Sequence, residues 1–397
     1  MRLAVISSRF PCANTEPFLG VELAALRPLV ERLVVAPLRP DTGMQHGTGG
    51  AAAILVSAWS ARALLEACAT FARAPGRSLR ALAAILCGSG GLVVKLKNLA
   101  VFPRALALAG RLRRERIDHV HAYWLSTPAT AAFVIARVNA IGWSCTAHRW
   151  DIFEENMIVE KARSAAFVRT ISERGKGELV RRVPEVAGKV NVVRLGTGLF
   201  GASAGTRPGN GLRLICAAAY VAPKGHADLL EAFAIAYDEN PGLHLTLCGE
   251  GPLREYVRER ASALPCRNAV VVRGYLDRRR LLTELGAGRY DAVILASRDD
   301  GVRMMEGIPS ILIEAASLGV TCIATRSGGI GELLDEESAF LAPPQRPKDL
   351  ARAILDATDP SERSRRAARA LERARRMHDP QRTAAQLRAL LGGARAS

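Results

Sequence analysis

The stretch MMEGIPSILIEAASLG, residues 304–319, and the TCIATR run at 321–326 decide how the chain is read. Pro309 can open a helix, because a proline at the first helical position gives up an N–H that has no partner there anyway. Gly319 can close it. Between them Ile311, Leu312, Ile313, Ala315, Ala316 and Leu318 leave almost no polar side, and a helix apolar all round belongs in a core. The run that follows is short and apolar, as a strand buried on both faces is. Yet Glu314 sits inside the helix and Glu306 stands eight residues before it, and a buried carboxylate without a partner is costly.

The same alternation extends outward along the chain. RLAVIS (2–7), LVVAPL (33–38), HVHAYW (119–124), WSCTAH (143–148), AAFVRTIS (165–172) and VNVVRLG (190–196) form one series of strand-like runs. LRLICAAA (212–219), LHLTLCGE (243–250), NAVVVRGY (268–275), DAVILAS (291–297) and TCIATR form a second, separated by helical stretches such as HADLLEAFAIAYDEN (226–240). Continuous apolar strands with intervening helices predict parallel sheets covered on both faces. GTGLFGASAGTRPGNG (196–211), rich in Gly, Ser and Pro, reads as a linker between the two series. The expected fold class is α/β, with two Rossmann-like doubly wound domains, 1–198 and 199–378, facing across a cleft. Residues 379–397 are expected to form a helix packing back toward the first domain. In such sheets ligands bind outside the carboxyl ends of the strands.

Composition narrows the partners. The chain has 397 residues, 49% of them hydrophobic, with 55 Lys+Arg against 38 Asp+Glu and a net charge of +17. That excess favours a polyanionic partner: a nucleic acid, an acidic membrane surface or a phosphorylated substrate; a general richness in arginine is the plainer account. An insert at 51–118 carries eleven Lys/Arg and three Asp/Glu beside Trp59, Phe71 and Phe102. It reads either as interfacial amphipathic helices or as ordinary helices packed on the sheet. The arginine-rich 362–377 reads as a solvated helix face.

The eight cysteines show no CxxC or zinc-like cluster, and Cys216, Cys248 and Cys322 read as small buried hydrophobes. No signal peptide or membrane-spanning run is expected, and a cytoplasmic location at the inner face of the plasma membrane follows as the expectation. No GxxxxGK[ST] loop or GxGxxG after the first strand points to ATP or NAD chemistry, and no nucleic-acid motif appears. RDDG (298–301) is not a spaced carboxylate pair, and no metal is expected.

Ser310 and Glu314 are four apart and share a helix face. The N-terminal end of that helix offers free N–H groups and the positive dipole pole, suited to a phosphate. A polyol attached to that phosphate would satisfy Glu314 through charge-assisted hydrogen bonds; a buried ion pair is the competing expectation for this residue.

EGIPSILIEAASLGVTCIATRSGGIGELL (306–334), with seven residues between its two glutamates and the Gly-Gly turn after a strand, resembles the signature of the family 4 retaining glycosyltransferases. APKGHADLLEAF (222–233), LCGEGPLREYV (247–257), RGYL (273–276), HVHAYW and TAHRWDIF (146–153) resemble that family's other strand ends, and SSRFPCANTEPFLGVELAAL (7–26) its opening loop and helix. The DDGVRMMEGIP form of the motif is most similar to the branch that builds exopolysaccharides and colanic acid.

The resemblance implies a B-type glycosyltransferase fold in which 1–198 binds the acceptor and 199–378 the nucleotide sugar, linked through UDP or GDP, with no cofactor. It assigns Glu314 to ribose hydroxyls, Glu306 to the transferred hexose, and Lys224 to the diphosphate leaving group, assisted by the N–H groups of Gly307, Ile308 and Ser310 in the helix-opening segment that Pro309 completes. Gly249, Glu250, Gly251 and Tyr275 would border the base. His148 would sit at the reacting centre, and His121, Arg149 and Asp151 on the acceptor side, His121 reading equally as a structural histidine. The implied partners are a nucleotide sugar and a saccharide or polyprenyl-linked acceptor, with peripheral contact to an anionic membrane and no nucleic acid. The implied chemistry is transfer with retention. One departure stands out: Ala219 occupies the place of the family's usual arginine, five residues before the lysine, leaving Arg326, Arg303 or Arg149 to supply that charge or the protein to act as a binding or scaffold subunit.

Overall fold

A computed structural model describes residues 1–10, 17–40, 51–54, 60–198, 201, 211–300 and 307–393. It forms two units, one of residues 1–196 together with those from Pro380 onward, the other Thr197–Asp379.

Among the described residues the first unit has a seven-stranded sheet. Its strands are β1 (Arg2–Phe10), β2 (Arg32–Pro40), β3 (Ala52–Ala53), β4 (His119–Ala122), β5 (Gly142–Ala147), β6 (Val168–Thr170) and β7 (Val190–Val192). They lie in the order β3-β2-β1-β4-β5-β6-β7, every pairing parallel. Alternation along β1 sends Leu3 and Val5 to one face, against the helices Pro17–Leu26 and Pro380–Gly393, and Ala4 and Ile6 to the other, against Ala61–Arg73, Leu92–Arg114 and Thr127–Asn139. Ala384, Leu387 and Leu391 of the last helix join the first of these cores.

The second unit has six strands: β8 (Leu212–Ala217), β9 (Leu243–Cys248), β10 (Val270–Val272), β11 (Ala292–Leu295), β12 (Thr321–Thr325) and β13 (Phe340–Ala342). The order is β10-β9-β8-β11-β12-β13, again all parallel. Counted within each unit, both sheets begin 3-2-1-4-5-6, the doubly wound order, and each reverses between its first and fourth strand. The expected α/β class and its two Rossmann-like halves are what the structure has. Burial on both faces explains the unbroken apolar runs: Leu214, Leu245, Leu247, Ile294 and Ile323 all lie in one core. Cys216, Cys248 and Cys322 are buried in it, as read from their strands.

Two readings need correction. Residues 362–377 are not simply a solvated face. Arg363 is fully buried and donates to the carbonyls of Ala357 (2.7 Å) and Thr358 (2.8 Å), finishing the preceding helix Pro347–Asp356. Arg373 donates to Leu333 O and pairs with Asp335 at 2.6 Å. Pro309 is not the first helical residue: it stands at the N-cap of the helix Ser310–Ser317, in extended geometry. Gly319 does close that helix, at φ +69°, with Val320 N–H on Ala315 O and its own N–H on Ala316 O, the double bond of a Schellman motif.

Candidate functional site

At the carboxyl edge of the second sheet, five strand-end loops are joined to one another. Tyr220, beyond β8, donates its N–H to Glu250 O (2.9 Å) beyond β9, and Leu253 N–H returns to Tyr220 O (3.0 Å). Gly249 N–H reaches Gly274 O (3.1 Å) beyond β10. Glu250 Oε1 accepts the Tyr275 N–H (3.3 Å) and Oε2 meets Arg254 (3.1 Å). The two glycines have a packing reason: a Cβ on Gly249 would overlap Ala218 O, and Gly251, at φ +153°, lies against the Tyr220 backbone. Gly249, Glu250, Gly251 and Tyr275 are thus brought together, with the Tyr275 ring exposed.

Lys224 ends a short turn, Ala222–Lys224, directly after β8, with its side chain half-buried. Gly225 follows at φ +63° and opens the helix His226–Glu239. Arg298, at the end of β11, donates its N–H to Pro223 O (2.8 Å), so the Lys224 turn and the β11 end meet where the strand order reverses. The Arg298 guanidinium is held by Asp228, in the first turn of that helix, at 2.8 and 3.1 Å. The sequence reading had missed this cation, and its place directly after an apolar strand was the available signal. Of the proposed substitutes for Ala219, Arg326 pairs with Glu336, Arg303 lies outside the described residues, and so does the Arg149 side chain.

Gly307, Ile308 and Pro309 lead into the Ser310–Ser317 helix, whose first turn has no acidic residue and no side-chain cap. The Gly328–Gly329 turn after β12 packs against Gly307 and Ile308: a Cβ on Gly329 would lie 3.1 Å from the Gly307 carbonyl carbon. Open backbone N–H groups and the helix dipole at this end suit an anion. Glu306 lies outside the described residues. Glu314 is buried, and its partner is Arg278, whose Nε donates to Oε1 at 2.6 Å from the start of the helix Arg278–Gly286. The ion pair that one reading of Glu314 expects is present. Burial pushes the carboxyl above its usual range, and Arg278 opposes that. Arg278 is held in place by its neighbours: Asp277 caps the helix through Arg279 N–H (2.9 Å), and Arg273 on β10's end is bonded to Glu284 of the same helix (2.8 Å).

In the first unit, the β4 and β5 ends form a second cluster. His148 stacks on Trp124 (centroids 3.9 Å apart), its Nε2 pairs with Tyr123 O (3.1 Å), and its ring accepts the Asp151 N–H. Burial first, and then the Arg169 charge, push the imidazole down to about 3, so it is neutral at neutral pH. Asp151 Oδ2 accepts the N–H groups of Leu125 (2.9 Å) and His148 (3.2 Å), a reciprocal capping box. Lys161, fully buried, donates to Leu125 O, Ser126 O and Asn156 Oδ1 (2.8–2.9 Å). Together these clamp the loop after β4. His121 is bonded at both ring nitrogens, to Ser144 and Thr146 (2.8 Å each), within the sheet. The Arg149–Glu154 helix starts directly after His148, and its Trp150 is exposed.

Residues 204–375 match the family described as "Glycosyl transferases group 1". Over 154 residues the chain is 30% identical to the glycogen synthases of two Mycobacterium tuberculosis strains, CDC 1551 / Oshkosh and H37Rv. That match covers 38% of this chain and spans about a third (35%) of the relatives' length. The Anabaena Alr3699/HepE structure in complex with UDP and glucose superposes with a TM-score of 0.70 at 16% identity, covering 99% of this chain and 100% of that one. The glycosyltransferase of Rickettsia africae ESF-5 gives 0.70 at 14% identity, covering 99% and 98%. The lipopolysaccharide outer core galactosyltransferase WaaB, in its apo form, gives 0.69 at 14% identity, covering 99% of each. These likenesses show the fold, that of the B-type glycosyltransferases.

Proposed function

We propose that the protein is a glycosyltransferase whose second unit binds a UDP- or GDP-linked hexose. It moves the sugar, with retention, to a saccharide or lipid-linked saccharide in the making of a surface polysaccharide. The observation that carries this reading is the joining of the loops after β8, β9, β10, β11 and β12 around one strand edge. That edge presents Lys224, the Tyr275 ring, the Arg278–Glu314 pair and the uncapped helix end at Ser310. A nucleoside diphosphate sugar matches that set: hydroxyls for a carboxylate, phosphates for a lysine and a helix N-terminus, a base for an aromatic ring. Lys224 would take the charge that develops on the departing diphosphate. Glu306 is assigned to the transferred sugar, His148 to the reacting centre, and His121, Arg149 and Asp151 to the acceptor side, by the resemblance of their motifs.

An acceptor held at an anionic membrane is supported by a surface of the first unit. Leu86, Leu92, Val93 and Leu96 are exposed around the turn between the helices Pro75–Cys87 and Leu92–Arg114. Lys97–Glu154 (3.0 Å) and Met157 N–H to Ser89 O (3.2 Å) tie the helix bearing exposed Trp150 to that turn. The helices of 51–118 bury one side on the sheet, as the packing reading expects, and still leave this apolar patch in a segment of eleven cations and three acids. No helix of the described residues is long and apolar enough to cross a membrane, so the contact would be peripheral.

A panel of UDP- and GDP-sugars, incubated with saccharide acceptors free or anchored in vesicles, tests both parts. Nucleoside diphosphate release is expected for one donor, faster with vesicles containing anionic lipid than with neutral ones. Release from no donor removes the enzymatic reading, and indifference to lipid charge removes the membrane part. The second reading, a sugar-nucleotide-binding subunit without turnover, is favoured by Ala219 standing where a second phosphate-neutralising arginine is expected. It predicts nucleotide binding with no release.

A further inference from the structure

The Arg278–Glu314 pair is made through one tooth on each side. Glu314 Oε1 accepts from Arg278 Nε, and among the described residues no hydrogen bond reaches Oε2 or uses either Arg278 Nη. Glu314 is buried without being sealed: 8% of its side chain stays exposed. Arg278 keeps about a third of its side chain exposed (32%). Its position is electrostatically poor by itself: a cation at the first residue of a helix faces the positive end of the dipole. A carboxylate 36 residues away in sequence offsets this, and the guanidinium in turn keeps that carboxylate charged in a buried seat.

We infer that Arg278 is a positioning residue for the donor nucleotide, holding Glu314 so that Oε2 and the unused Nη groups face the ligand side by side. The inference rests on the reading that the second unit binds a nucleoside diphosphate sugar. An acceptor oxygen next to planar donors fits a hydroxyl beside a second oxygen, as in a ribose diol, and neither group alone would fix its orientation. Arg278 is the charged group among the described residues that acts on Glu314. Among the buried polar groups of the elements packed against its helix, Arg363 on Pro360–His378 bonds the Ala357 carbonyl through Nη1, Thr321 and Thr325 on β12 are bonded elsewhere, and His378, at the far end of that same helix, is buried as well.

Titration of the full chain with UDP and with GDP between pH 6 and 8 tests this. Arg278→Ala is expected to weaken binding about ten- to a hundredfold, the loss of a charge-assisted pair. It should also raise the pH at which binding begins to fail, because burial then acts on Glu314 unopposed. Arg278→Lys should recover part of both effects, which a merely structural loss would not show. Glu314→Gln should remove the difference in pH dependence between Arg278→Ala and the parent. Unchanged or tighter binding by both Arg278 variants overturns the inference and leaves the donor reading standing, since the parent still binds. If the parent binds neither nucleotide, the donor reading fails and the inference falls with it.

Discussion

Replacing Lys224 by alanine is expected to slow nucleoside diphosphate release by about a hundred- to a thousandfold, the usual cost of removing one preorganised group that meets developing charge. Lys224 lies at the carboxyl end of β8, where the strand order reverses, immediately before the helix His226–Glu239. Arg298 is the neighbouring cation, and Asp228 holds it in a two-toothed pair that offsets its charge. With Ala219 where the resemblance expects an arginine, the proposed role of Lys224 would be shared with no second cation at that position. The side chain is half-buried at the edge of the unit and belongs to no core cluster, so its removal should change stability by no more than about 1 kcal/mol. Initial rates and thermal unfolding of the same preparation separate the two effects, and Lys224→Arg should fall between parent and alanine. A rate unchanged by Lys224→Ala would take the diphosphate away from this turn.

The second large effect is on folding. Gly225→Val is expected to destabilise the Thr197–Asp379 unit by at least about 3 kcal/mol. The backbone there is at φ +63°, which costs a β-carbon about 1–2 kcal/mol by itself. A Cβ would also overlap the backbone carbonyl oxygen of Ala296, at the end of β11. A backbone atom cannot rotate away as a side chain does, so either the Lys224 turn lifts off the sheet or β11 shifts. For a unit of this size the loss corresponds to a fall of roughly 6–12 °C in Tm. Gly331→Ala is the control: its position is open and its φ ordinary, and little change is expected. Equal unfolding of the two variants would mean that the turn is not packed against β11 as described.

Much of this architecture could be read from the residues because burial on both faces leaves a strand no polar choice. The runs at 33–38, 212–219 and 291–297 became β2, β8 and β11 within a few residues. The edge strands β3 and β13 escaped notice, since strands of two and three residues carry too little pattern to separate from a loop. Helix ends were partly legible. The closing glycine at 319 announced itself, whereas Pro309 suits either the N-cap or the first turn, and only the backbone angles decide.

Candidate site residues stand out in the sequence where their motif is local and not where partners are spread along the chain. Lys224, the Gly249–Gly251 turn and the helix end at Ser310 follow from short motifs. The pairings of Arg278 and Arg298 were not legible, because their carboxylate partners stand 36 and 70 residues away in sequence. His148 and Asp151 did carry a local sign, a polar residue followed three positions later by an acid, which is a capping-box spacing. Their mutual capping, and the bonding of His121 within the sheet, give these residues structural work in addition to the roles proposed for them, His148 at the reacting centre and His121 and Asp151 on the acceptor side. Arg363 and Arg373 looked like surface charge because composition cannot distinguish an arginine facing water from one folded onto a helix end.

The central claim is that the strand edge of the second unit receives a nucleoside diphosphate. Amide hydrogen exchange of the full chain with and without saturating UDP or GDP tests it directly. Slowed exchange is predicted at Ala219–Gly225, Gly249–Gly251, Gly274–Arg278 and Gly307–Ile311, with the first unit's Leu125–His148 region unchanged by nucleotide alone. Protection confined to the first unit, or none at nucleotide concentrations that saturate binding, would contradict it.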